Sequence, residues 1–189
     1  MPFTKRNPMM LPVLAAAAAG WLAFTASALP AQNPAPQGED ARKLIGVLQS
    51  GAPLFEKCKA CQRLAVIGTT EAVPVLAGLL GDENLAHYAR FGLEPIPDPS
   101  VDDALRAAMA TLKGRLLVGV INSVGSRRDA KALDNQTKLV GDADLDVAAA
   151  AAAAIGRIGT SAAARALQQT LSSGPRPLRP AAAEACLAG

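Results

Sequence analysis

Aromatic residues are scarce in this chain: one Trp, one Tyr and four Phe in 189 positions. Three of them, Phe3, Trp21 and Phe24, fall within the first 24 residues. What remains is a supply of Ala, Leu, Val and Ile, small aliphatic side chains that suit closely spaced helices better than a sheet sandwich. Histidine is rarer still. His87 is the single one, so no histidine cluster for a metal can be assembled, and a His-activated nucleophile would rest on that residue alone. It reads as a surface position on a helix. A strong excess of either charge is also missing: 19 Lys and Arg stand against 16 Asp and Glu, and Lys5 and Arg6 lie near the start. The rest is close to neutral, without the basic patch that nucleic acid requires.

There are three cysteines, and two of them form Cys58-Lys59-Ala60-Cys61. A Cys-x-x-Cys pair has four readings: a redox dithiol, a strained disulfide, half a metal site, or two small core residues. A covalent c-type haem needs His next, and Gln62 stands there.

The first residues read as an export signal. Lys5 and Arg6 precede Met9–Leu29, which is uncharged and rich in Ala and Leu, and Ala26-Ser27-Ala28 offers a small-x-small cleavage site, with a second after Ala31. Residues 1–31 are thus a signal peptide or an uncleaved anchor, since 21 uncharged residues can just span a bilayer. Either way the expected location is periplasmic or secreted. Residues 32–39 read as a flexible linker, and 40–189 as the folded domain.

What organises that domain is a recurring helix ending. Leu64-Ala65-Val66-Ile67-Gly68, Leu93-Glu94-Pro95-Ile96-Pro97, Ile121-Asn122-Ser123-Val124-Gly125 and Ile155-Gly156-Arg157-Ile158-Gly159 share one pattern, with stops at 68, 97, 125 and 159. A period near thirty in an Ala- and Leu-rich chain predicts an all-α solenoid of about five antiparallel helical hairpins. Within it, Leu54, Cys58, Cys61, Leu64 and Ile67 form one apolar stripe. Pro74 sits early enough in its helix to be tolerated. Pro95, Pro97 and Pro99 end the second unit early. Ala148 to Ala154 make a thin helix that lets units approach closely. By the last spacing a fifth stop belongs at 193, so the domain is expected to be incomplete at its C-terminus.

The register also sorts candidate sites. Seven before each stop lie Cys61, Val118, Ala152 and, for the expected fifth stop, Cys186, which predicts a small apolar core slot. Arg90 occupies the same slot in the irregular second unit, with Glu94 four residues on at ion-pair spacing. Two readings stand: a structural Arg-Glu pair, or a partner-binding patch of Tyr88, Arg90, Phe91 and Glu94. Arg127, Arg128 and Lys131, clustered at one helix start, read as a solvated face rather than an anion site.

The stretch Asp142-Ala143-Asp144-Leu145-Asp146-Val147, followed by Ala151-Ala152-Ala153-Ala154-Ile155-Gly156-Arg157-Ile158-Gly159, resembles the second helix of HEAT-like repeats of the phycobilisome-lyase type. Ala148 departs from that pattern, where Arg is usual. The resemblance implies binding and scaffolding, as in arrays that occur beside haem-bearing or hydrolytic domains in large exported bacterial proteins. A tetratricopeptide array is the architectural rival, without its Trp/Leu-Gly/Tyr pattern. The expected function is a non-catalytic, exported protein-interaction module, with protein partners, no nucleic acid, no cofactor and no metal. It contacts a membrane only through an uncleaved N-terminal segment. The alternative is an accessory part of a periplasmic redox enzyme that uses Cys58 and Cys61 or a missing attached domain.

Overall fold

Glycine and proline punctuate the chain, and the helices fall between them. The computed structural model describes residues 37–174 and 176–188; the expected signal and most of the linker lie outside them. The described part is all-helical, in the order α1 Gln37–Gln49, α2 Leu54–Ile67, α3 Val73–Gly78, α4 Ala86–Leu93, α5 Pro99–Met109, α6 Gly114–Ser126, α7 Leu133–Leu139, α8 Leu145–Ile158, α9 Ser161–Ser173 and α10 Arg179–Ala188. Helix α1 begins three residues ahead of Asp40, the expected cap. Among the described residues no helix is long and apolar enough to cross a membrane.

Local chemistry explains several ends. Pro74 falls in the first turn of α3, where a missing N–H costs nothing, and a 3-10 turn over Thr70–Ala72 leads into it. Asp98 caps α5 by accepting from the Ser100 N–H at 2.9 Å, and Asp144 caps α8 by accepting from the Asp146 N–H at 2.9 Å. Thr160 caps α9 through the Ala163 N–H at 3.1 Å. Helix α8 ends at Gly159 in the left-handed region, φ 67°.

The helices pair as α1 with α2, α3 with α4, α5 with α6, α7 with α8 and α9 with α10. The second members also pack in succession: α2 on α4, α4 on α6, α6 on α8 and α8 on α10. Small residues make this possible. A Cβ on Gly156 would come within 2.5 Å of the Ala185 carbonyl oxygen, and one on Gly125 within 2.8 Å of the Ala154 Cα. The core follows the same line, through Leu64, Leu76, Leu93, Leu105, Ile121 and Ile155, all fully buried. Leu54, expected in the buried stripe of α2, is instead exposed, because it opens the helix.

Cys61 and Ala152 are fully buried, Val118 is half-buried, and Cys186 is exposed. The core slot therefore does not extend to Cys186. Cys61 lies on a helix that α4 covers, whereas no described helix follows α10.

Candidate functional site

The irregular second unit ends in Pro95-Ile96-Pro97-Asp98-Pro99, a stretch whose three prolines supply no N–H groups. With few N–H groups of its own, the stretch takes further donors from elsewhere. Arg127, just past α6, provides them: Nη1 donates to the Glu94 carbonyl at 2.7 Å and the Ile96 carbonyl at 2.9 Å, and Nη2 donates to the Asp98 carbonyl at 3.3 Å. The Asp102 carboxylate accepts from Nε at 2.5 Å and from Nη2 at 3.2 Å. Five N–H groups thus meet five acceptors, the full donor capacity of a guanidinium. The Arg127 side chain is only 13% exposed, so it does not belong to the solvated face its sequence neighbours suggested. Its neighbours divide: Arg128 and Lys131 are exposed, and Asp129 is buried against Arg106, which also bonds Asp103.

Arg90 and Glu94 both face α6, each with its own partner. Arg90 Nη1 donates to the Gly119 carbonyl at 3.2 Å, and the Glu94 carboxylate accepts from Ser123 Oγ at 2.6 Å. The guanidinium fills the space beside Gly119, where a Cβ would fall 2.7 Å from Arg90 Nε. Burial lowers the pKa of the Arg90 guanidinium, with the Glu94 charge opposing. Tyr88 is half-buried against the core and meets His87 edge-to-face, with ring centroids 5.5 Å apart. Phe91 points outward and is 52% exposed.

Of the four residues singled out from sequence, Phe91 and Glu94 therefore share a shallow cleft of about 320 Å³ with Pro95, Ser126 and Arg127, while Arg90 is turned into the helix interface. Arg127 is fully engaged and the Glu94 carboxylate accepts from Ser123 Oγ, so both side chains are held in place beside Phe91. Sequence reasoning placed Arg127 on a solvated face and gave Ser123 no role of its own. The available signal for Arg127 was the row of donor-poor prolines.

The cysteines are unbridged. Burial, with Cys58 adding to it, pushes the Cys61 thiol up to about 11, so at neutral pH almost none of it is the reactive thiolate. Cys186 lines a cavity of about 280 Å³ between α8, α9 and α10, beside Thr160, Ala164 and Gln168. Among the described residues no three His, Cys, Asp or Glu side chains are grouped so as to hold a metal ion.

The exposed large apolar side chains are unevenly spread. Leu54, Phe55 and Val66 lie on α2 and Phe91 on α4; only Leu145 and Leu187 lie elsewhere among the described residues. On α2 the positions 55, 59, 62 and 66 are all exposed and follow helical spacing, with Lys59 Nζ 5.0 Å from the centre of the Phe55 ring. No protein-family model matches the chain, and no curated protein matches it significantly.

Proposed function

We propose that this chain is an exported, non-catalytic protein-interaction module whose helical pairs stack as a HEAT-like α-solenoid, with α2 and α4 forming its contact face. The observation that carries the reading is the concentration of exposed apolar side chains, Leu54, Phe55, Val66 and Phe91, on two adjacent helices. Apolar groups gathered on one face mark interaction surfaces more often than scattered ones do. The stacked-pair reading is supported by the successive contacts of α2, α4, α6, α8 and α10. The redox alternative using Cys58 and Cys61 is disfavoured by the burial of Cys61.

A photo-crosslinking side chain at position 62 or 91 tests the contact face, with exposed Ala107 on α5 as the control. Adducts from 62 and 91 and none from 107 are expected; equal labelling at all three would refute the assignment. The stacked-pair reading predicts that deleting residues 160–189 leaves a cooperatively melting, less stable helical domain, because each pair leans only on its neighbours. Loss of all cooperative melting would refute it.

A further inference from the structure

The contact face has a definite chemical character. Helices α2 and α4 carry Lys57, Lys59, Arg63, Arg90 and His87 against a single acid, Glu56. Arg90 is turned inward, but Lys59 and Arg63 are exposed, and neither joins an ion pair among the described residues. Gly92 sits against the Cys61 carbonyl, so α4 packs on α2, and exposed Phe91 stands on the helix next to the α2 row of Phe55, Lys59, Gln62 and Val66. On α2 the exposed Phe55 and Val66 therefore have the cations Lys59 and Arg63 set among them, with Glu56 the one acid on that helix, while Phe91 on α4 has Glu94 beside it.

Its complement occurs on the same chain. At the start of α8, Leu145 is 55% exposed and is flanked by Asp142, Asp144 and Asp146. The Asp142 carboxylate accepts from the Asp144 N–H and the Asp144 carboxylate from the Asp146 N–H, each at 2.9 Å, and these bonds fix the turn that carries the exposed leucine. An exposed apolar side chain with three aspartates within three residues of it complements an apolar row carrying cations in both hydrophobicity and charge sign.

We infer that the α2–α4 face docks the Asp142–Asp146 turn of a second copy of this chain. The inference rests on the interaction reading above and names the partner for that same face. The two surfaces sit on different pairs, so the contact is heterologous. Each copy keeps one free face and one free turn, and association continues head to tail unless it closes into a ring. The contact is small, and its expected strength is that of a weak, transient interface.

Sedimentation velocity of the full chain tests this. Wild type is expected to grow beyond a monomer as concentration rises, and 1 M NaCl is expected to weaken the association at least tenfold, since the Debye length there is about 3 Å. Two variants separate the surfaces: Arg63→Glu with Phe91→Asp on the face, and Leu145→Ala with Asp146→Lys on the turn. All four positions have exposed or half-exposed side chains, and circular dichroism checks that the helices persist. Val66→Glu is a second face variant should the first misfold.

Each variant alone is expected to remain monomeric. Their equimolar mixture is expected to form dimers and nothing larger, because one supplies the intact turn and the other the intact face. A wild type monomeric at the highest soluble concentration, or a mixture as monomeric as its components, overturns the inference. Cross-links from positions 62 and 91 to a different protein, from a chain that does not self-associate, would sink the second-copy assignment and leave the interaction reading standing.

Discussion

Replacing Arg127 by alanine removes all five hydrogen bonds that its guanidinium makes to the Glu94, Ile96 and Asp98 carbonyls and to Asp102. The losses are unequal. The Ile96 and Asp98 carbonyls keep backbone donors, from the Asp98 and Val101 N–H groups, whereas Arg127 is the donor to the Glu94 carbonyl. Asp102 is left without its cation, but its side chain is 25% exposed and can recover water. Hydrogen bonds to charged groups contribute about 1.5–3 kcal/mol each, and loss of one partner of a buried ion pair costs about 3–5 kcal/mol. Partial exposure screens the pair, so we expect a net loss of about 3 kcal/mol. For a domain of this size that lowers Tm by roughly 6–12 °C. Arg127→Lys restores the charge but not the planar fork, and is expected to recover less than half of the loss. Arg128→Ala, at the exposed neighbour, should fall within about 0.5 kcal/mol of wild type. Urea melts followed by circular dichroism measure all three. A loss below about 1 kcal/mol for Arg127→Ala, or full recovery by lysine, would refute the view that directional donation to the proline-rich stretch anchors this unit.

Four further outcomes follow from the structure. Gly156→Ala should destabilise by about 1–3 kcal/mol, because the new methyl meets the Ala185 carbonyl, whereas Gly78→Ala, with nothing nearby, should not; thermal melts compare them. Arg128 has φ 54° at the end of α6, so Arg128→Gly should raise stability by about 0.5–1 kcal/mol in the same assay. With its pKa near 11, Cys61 should resist a thiol reagent at pH 8 until the chain unfolds, while exposed Cys186 reacts at once; counting fast and slow thiols checks this. Hydrogen bonds from Ser100 and then Thr70 hold the Asp98 carboxyl below its ordinary value. That group's stabilisation is therefore complete above about pH 4 and is lost as pH falls below it, and Asp98→Asn should flatten that part of the acid profile.

Much of the helical outline was legible in the sequence because turns have local causes. Gly51 and Pro53, Gly81-Asp82 and Gly141-Asp142 each interrupt the chain where the structure does. The early end of α4 follows from Pro95, which cannot continue a helix. Helical spacing likewise predicted that Leu64 and Cys61 point inward. Two things were not legible, and both depend on contacts distant in sequence. Arg127 sits about thirty residues from the carbonyls it serves, and nothing in its own neighbourhood distinguishes it from Arg128. Cys186 shares its register with Cys61, but burial requires a covering helix, which spacing alone does not provide. At the candidate patch, the sequence singled out Tyr88, Arg90, Phe91 and Glu94 together. It did not separate Phe91, which faces solvent, from Arg90, which turns inward, because a charge at a core slot reads as misplaced until its acceptor is known.

The seven alanines of α8 have a mechanical consequence. Short methyl side chains let α8 and α6 approach closely but carry few long groups that could lock one helix against the other. Two features act as a detent: the Arg157 Nη2 bond to Asn122 Oδ1 at 2.7 Å, and the seat of Gly125 on Ala154. Under tension along the helix axis, the Arg157 bond and the Gly125 seat would resist shear together.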